Sequence, residues 1–364
     1  MNRLAPIDAP SATSERVGAG PRAAVRVWLL AVAALVFVMV LVGGATRLTE
    51  SGLSITQWKP VTGVLPPLSA ADWRAAFDLY KQIPQYAQLN ADMTLDGFTT
   101  IFWWEWSHRL LARIVGLVYV LPALWFWARG AFRGALGRQV ALATALLVLE
   151  PIVGWWMVSS GLSNRVEVAQ ERLATHLLIA AGVFGTAIYA TVRLSARPSP
   201  PAPRGFSLAA AAFALMVYVQ LGLGALVAGL RAGLIYNTWP LMGSGLLPAE
   251  AFGAPDAPWN DPATAQFDHR LVAYLVLAFA FVQAFAAIRA APDAVARRAV
   301  RLAGVAALQV ALGVLTLIFS VPIPIALAHQ AIALVLFGLA CAHWSATRPG
   351  GSEIRARIPQ MWAR

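Results

Sequence analysis

The chain is predicted to be an all-α polytopic membrane protein with eight transmembrane helices, and three observations carry that prediction. Hydrophobic residues fill 59% of its 364 positions and charged residues only 12%, about half the charged share of an ordinary soluble domain, so no hydrated shell would cover a soluble surface. Eight apolar windows are each long enough to cross a hydrocarbon layer of about 30 Å. Arginine clusters recur between alternate windows, as retention of basic residues on the cytoplasmic side requires. A soluble globular fold is excluded.

The first window, 27–45, follows Arg3, Arg16, Arg22 and Arg26 and looks like a signal peptide. Its length, its lack of an A-x-A cleavage pattern and the further windows behind it make it a first helix instead. Windows 106–128, 138–158 and 173–192 complete one set of four. A stretch holding Pro198, Pro200, Pro201 and Pro203 then marks a linker. Windows 207–230, 268–288, 299–320 and 323–344 form the second set. The expected organisation is a tail over 1–26, a four-helix bundle over 27–192, a linker over 193–206, a second four-helix bundle over 207–344 and a tail over 345–364.

Tails, linker and the short loops on the same side carry a net +14, and everything else −3, which together make the whole +11. That split puts both termini in the cytoplasm and turns loops 46–105 and 231–267 outward, toward the periplasm if the bilayer is a bacterial inner (cytoplasmic) membrane. The basic balance is thereby assigned to membrane lipid, with no nucleic acid partner. The single cysteine, Cys341, leaves no disulfide framework.

The two sets of windows repeat. A shift of 181 places Gly43 on Gly224, Gly52 on Gly233, Leu53 on Leu234, Trp58 on Trp239 and Pro67 on Pro248; a shift of 161 places His108-Arg109-Leu110 on His269-Arg270-Leu271, and a shift of 153 places His176 on His329. An even number of spans per half makes the repeat parallel, with a pseudo-twofold axis along the membrane normal.

Four of the five histidines therefore occupy matched places near the outward ends of their spans. One such histidine alone reads most simply as an interfacial polar residue bound to a loop carbonyl; four at corresponding positions argue for ligation. Each half offers one imidazole from each of two helices, which is how haem iron is held from opposite faces in a bundle core. Zinc fits less well, because no Cys, Asp or further His completes a four-ligand set. His343 lies fourteen residues beyond His329, about 21 Å along a helix. That is the separation of stacked haems in a quinol-oxidising cytochrome b, but no second helix carries a matching pair, and His343 is assigned to the inner interface.

The halves differ at one chemically informative point. Glu105 stands three residues before His108, whereas Gln266 stands three before His269. Only the first half has an ionisable carboxylate on the face of its ligand, and a carboxylate can move protons or stabilise a developing cation where an amide cannot. Pairing of Glu105 with Arg109, four residues on, is the plain alternative. Arg109 and Arg270 suit either haem propionates or lipid headgroups. Trp103, Trp104 and Trp106 read as an interfacial aromatic belt.

These residues resemble haem A synthase, the membrane enzyme of cytochrome c oxidase assembly. The likeness runs from the first span to the eighth. Its carriers are Gly43-Gly44-Ala45-Thr46-Arg47-Leu48-Thr49-Glu50-Ser51-Gly52-Leu53-Ser54, Trp58, the 63–67 stretch and Glu105-Trp106-Ser107-His108-Arg109, with Ala228-Gly229-Leu230-Arg231-Ala232-Gly233 and Tyr236-Asn237-Thr238-Trp239-Pro240 in the second half. The resemblance implies two similar four-helix bundles and oxidation of the C8 methyl of haem O to a formyl group. It implies a haem B cofactor at His269 and His329 with Arg270 nearby, substrate haem at His108 and His176 with Arg109 nearby, and a catalytic role for Glu105. Haem O synthase, an electron donor and further copies of the chain are the partners expected with it. A loop cysteine pair found in one branch is missing, and the long first loop is more like the mitochondrial and alpha-proteobacterial branch. The competing readings are a non-enzymatic haem carrier or exporter and the di-haem cytochrome b.

Overall fold

A computed structural model of the chain describes residues 20–195, 202–248 and 253–348. Residues 1–19 of the expected tail over 1–26 fall outside them, while 20–26 begin the first helix; positions 196–201 of the linker and the tail beyond 348 also fall outside. Eight helices among the described residues are long and apolar enough to cross a membrane. They are α1 (Gly20–Leu48), α4 (Leu95–Ala128), α5 (Gly134–Gly161), α6 (Gln170–Arg193), α7 (Arg204–Gly229), α9 (Pro262–Ala290), α10 (Asp293–Ile318) and α11 (Ile323–Thr347). Three shorter helices, α2 (Ala70–Tyr80), α3 (Pro84–Leu89) and α8 (Ala257–Asn260), lie in the two long loops.

Every apolar window is a helix, and most run beyond their windows because polar capping carries them past the hydrocarbon. The α4 helix starts eleven residues before its window, where the Thr94 hydroxyl accepts the amide of Gly97. At α9 the Asp261 carboxylate accepts the Thr264 amide at 2.7 Å, with Pro262 at the first helical position. Such caps satisfy amides that the first turn leaves without partners. The α10 helix stops at Ile318, just short of its window's end, because Ser320 and Val321 take left-handed backbone angles (φ 56° and 61°) and fold the Val321 amide back on Thr316.

Within the first four spans, α1 packs on α4 and α6, and α5 packs on α6; within the second four, α7 packs on α9 and α11, and α10 on both α9 and α11. Contacts of α6 with α7 and α11, and of α1 with α11, join the two sets through one continuous apolar core. One difference between the sets is plain. The α9 and α10 helices lie against each other along their length, whereas their counterparts α4 and α5 make no extended backbone contact. Tyr119 bridges α4 and α5 at the inner side, giving its hydroxyl to the Val140 carbonyl at 3.0 Å and meeting the Thr144 hydroxyl at 2.8 Å.

The first outward loop has its own small core, which the apolar windows gave no reason to expect. Phe77, Tyr80, Ile83, Phe98, Ile101 and Phe102 bury against Leu53, with Val158 of α5 packed on the edge. Ser69 and Asp72 form a capping box at the start of α2, a feature worth about 1 kcal/mol.

Candidate functional site: four histidines in glycine cradles

Each matched histidine faces a glycine of a neighbouring span. A Cβ built on Gly43 of α1 would lie 3.1 Å from His108 Nε2; on Gly154 of α5, 3.2 Å from His176 Cε1; on Gly224 of α7, 3.1 Å from His269 Cε1; and on Gly313 of α10, 2.9 Å from His329 Cε1. No larger side chain leaves room for these rings where they stand. The cradles repeat between the halves, with Gly43 matching Gly224 and Gly154 matching Gly313.

One turn before each cradle glycine stands a residue that fixes the ring or fails to. Gln309 places its amide nitrogen 3.1 Å from His329 Nδ1, and Gln220 places its own 3.0 Å from His269 Nδ1 while donating to the His269 carbonyl at 2.8 Å. In the first half the same positions hold Glu150, whose carboxylate comes within 2.5 Å of His176 Nδ1, and Met39. Glu150 was not singled out by sequence reasoning. The shift that matches His176 to His329 is 153, but the one that matches their cradles is 159, so Glu150 and Gln309 do not line up on the histidine register.

Glu105 is buried and fully bound. Arg109 reaches Oε1 with Nη2 at 2.6 Å and Nε at 3.0 Å, while the Ser54 hydroxyl and the Ile55 amide donate to Oε2 at 2.8 and 2.7 Å. The Arg109 guanidinium also donates to the carbonyls of Ile55 and Gln57. The second half repeats this with an amide: Gln266 donates to the carbonyls of Ala232 and Tyr236, and Arg270 donates to those of Tyr236, Thr238 and Leu241. Ile55 and Tyr236, and likewise Gln57 and Thr238, are 181 residues apart. Both arginines therefore tie the chain that follows the first span of each half onto the helix carrying His108 or His269.

Above the junction of the halves, Glu167 accepts from both Arg47, at 2.6 Å, and Arg231, and Arg231 also reaches Glu50 at 2.7 Å. Glu50 and Arg231 are 181 residues apart, and both have left-handed backbone at the end of their helices. Of the tryptophans, Trp103 and Trp104 are exposed as an interfacial belt would be. Trp106 meets Trp103 edge to face at 5.3 Å, with its indole N–H buried and without a partner. His343 is not at an interface. It is 1% exposed in the inner core, 2.9 Å from the Gln283 amide, on a helix pair where a second haem would need a histidine in place of Gln283.

The donors fit haem. Two imidazoles bonded to one metal at about 2 Å from opposite sides have ring centroids roughly 6 Å apart, and the rings of His269 and His329 stand 6.4 Å apart. Two imidazoles per half, with no cluster of three or more His, Cys, Asp or Glu side chains among the described residues, suit a metal carried in a macrocycle that supplies its own remaining bonds better than a bare ion. The cradle glycines leave room for the rings beside the neighbouring helices.

A family model described as cytochrome oxidase assembly protein (COX15-CtaA) matches residues 26–341. A protein named "Heme A synthase" from Rhodopseudomonas palustris (strain BisA53) is 51% identical over 347 residues, covering 94% of this chain and 96% of that relative. Another of the same name from Bradyrhizobium sp. (strain ORS 278) is 54% identical over 325 residues, covering 87% of this chain and 90% of the relative.

Proposed function

The chain belongs to the cytochrome oxidase assembly protein family, and from that premise we propose that it is a haem A synthase, an oxidoreductase of the membrane that converts haem O to haem A by oxidising the C8 methyl to a formyl group. In this reading His108 and His176 hold the iron of the substrate haem O, and His269 and His329 hold a haem B cofactor. Bound haem B supplies one-electron redox chemistry. The orientation read from charge places the termini in the cytoplasm and both haem sites toward the outer leaflet of a bacterial inner membrane. Haem O synthase upstream, an electron donor and self-association are parts of the same proposal.

The observation that carries the assignment of roles is the unequal closure of the two halves. A cofactor that stays needs a closed bundle, and α9 and α10 lie together beside His269 and His329. A substrate with a long apolar tail must enter and leave, and α4 and α5 make no extended backbone contact on the half that carries His108 and His176. Haem O would pass sideways from the bilayer between them, its tail remaining among lipid chains.

The chain's own residues then have separable tasks. Gly43 and Gly154 hold the two substrate-side imidazoles at fixed depth. Arg109, clamped on the loop carbonyls of Ile55 and Gln57, closes the outward end against water, which keeps the oxidised carbon from side reactions. Glu105 is proposed as the catalytic carboxylate, held in place by Arg109, Ser54 and Ile55. It is a buried negative charge near the outward end of the substrate-side span, where its counterpart Gln266 carries none.

Pigment extracted from the protein made in cells that supply haem O, analysed by mass, tests the proposal. Haem A or a hydroxylated intermediate is expected. A carrier, exporter or cytochrome b would yield haem B or haem O alone. The Glu105→Gln variant is expected to keep its haem and to make no haem A; normal haem A from that variant would remove Glu105 from the chemistry.

A further inference from the structure

Glu150 is the polar group the mechanism above leaves unused. It lies eleven residues inside the outward end of α5, well within the span, and both its carboxylate oxygens are buried. Its carboxylate comes within 2.5 Å of His176 Nδ1 but not in hydrogen-bond geometry, so both oxygens and that ring nitrogen stand without another polar partner among the described residues. A carboxylate at that depth is costly, and such residues are kept facing a partner or a pathway. The partner here is a ring already read as an iron ligand.

We propose that Glu150 is a positioning residue for His176: its carboxylate accepts the Nδ1–H, so that the ring binds iron through Nε2 as a stronger electron donor than His329 beside the neutral Gln309. The proposal rests on the reading of His176 as a ligand of the substrate haem. Three observations carry it. A carboxylate only accepts hydrogen bonds, so the nitrogen facing it must bear the proton, which leaves Nε2 as the coordinating atom. Gly154, one turn beyond Glu150, leaves the room beside Cε1 that lets the ring lie close to the α5 backbone, next to that carboxylate. Gln309 stands in the same relation to Gly313 and His329, with its amide nitrogen 3.1 Å from Nδ1 and its Oε1 buried without a partner; turning that amide over offers Nδ1–H a neutral acceptor. The chain therefore holds a charged acceptor in one half and an amide that can present an uncharged one in the other.

Hydrogen bonding of a ligand imidazole to a carboxylate raises its basicity, and loss of such a partner typically changes a metal site by 10–100-fold. Stronger donation favours ferric over ferrous iron, so the first-half haem should be the harder of the two to reduce on account of this contact. The acidic difference between the halves is then twofold, Glu105 against Gln266 and Glu150 against Gln309. The first pins the loop; the second acts on the ligand.

Spectroelectrochemical titration of the full-length protein, purified from cells supplying haem O, is the test. With Glu150→Gln, the first-half haem should become about tenfold easier to reduce, an upward shift of about 59 mV for one electron, while the second-half haem is unmoved. With Gln309→Glu the second-half haem should shift downward by a similar amount. Both haems bound with unchanged potentials in Glu150→Gln would overturn the proposal. Should Glu150→Gln retain no first-half haem, Gln309→Glu decides alone, and an unmoved second-half potential overturns it. His176→Ala separates this inference from the reading beneath it: if the first-half haem stays bound and low-spin in that variant, His176 is not a ligand and the functional reading itself fails at that residue.

Discussion

Replacing Gly313 with alanine puts a methyl carbon 2.9 Å from His329 Cε1, 3.5 Å from Nδ1 and 3.7 Å from Nε2. Ordinary carbon contacts begin at about 3.5 Å, so the ring must retreat by roughly half an ångström. Metal–ligand distances tolerate about 0.2 Å, so the ring cannot make that retreat and keep its bond to iron. Forcing a methyl into a packed site costs about 1–3 kcal/mol, which corresponds to roughly 5–150-fold in affinity. Without iron the ring can swing aside, so the chain should still fold. The measurable outcome is a protein of normal yield and helicity whose second-half haem is lost or falls by about tenfold or more in occupancy, read from the haem-to-protein ratio and the reduced-minus-oxidised spectrum. The same change at Gly43, Gly154 or Gly224 meets a ring atom at 3.1–3.2 Å and should act more weakly. Stoichiometric second-half haem with an unaltered spectrum in Gly313→Ala would refute the argument that the glycine fixes the ligand.

Two further outcomes are expected. Glu167→Ala removes the carboxylate shared by Arg47 and Arg231; Arg47 is 17% exposed and Arg231 40% exposed, so the loss should fall below the 3–5 kcal/mol of a fully buried pair, at about 2 kcal/mol. A thermal transition no lower than wild type would show that the ion cluster does not join the halves. In the outward loop, hydrogen bonds from Ser69 hold the exposed Asp72 carboxyl below the usual carboxylate range. A depressed carboxyl contributes its stability above its unfolded value and loses it as pH falls through the folded one. Amide exchange of α2 should therefore quicken in acid below about pH 4 and do so less in Ser69→Ala.

The parts of the fold set by bulk hydrophobicity were legible in the sequence, and the parts set by single contacts were not. Eight apolar windows gave eight helices because length and lack of charge suffice for a span. The helix ends differed because Thr94 and Asp261 cap turns that no hydropathy window registers. The helices of the outward loop were not legible because α2 and α3 bury aromatic residues against α4 rather than showing long periodic runs. The four matched histidines were legible because His is rare in spans and four fell into register; the glycine opposite each was not. Arg109 and Arg270 were read toward propionates or headgroups, and the structure gives their donors to loop carbonyls, a destination that only the folded loop reveals. The pairing of Glu105 with Arg109, an alternative on spacing alone, is realised at 2.6 Å. Glu150 escaped because its meaning depends on Gly154 and His176 from two different helices.

Duplication supplies each half with the same cradle, so differences between the halves measure what each is asked to do. Both halves keep two histidines, two glycines and one arginine that straps the loop. Only the first half parts two of its helices and sets carboxylates, Glu105 and Glu150, where the second has Gln266 and Gln309, and both features cost stability: an open seam gives up packing, and buried acid requires partners. Glu105 has four such contacts, and Glu150 has only the close approach of the His176 ring. Two equivalent carrier sites would gain nothing from these costs on one side alone. A resident redox group beside an exchanging substrate explains both, since exchange needs the seam and a reacting carbon needs fixed charge held out of water.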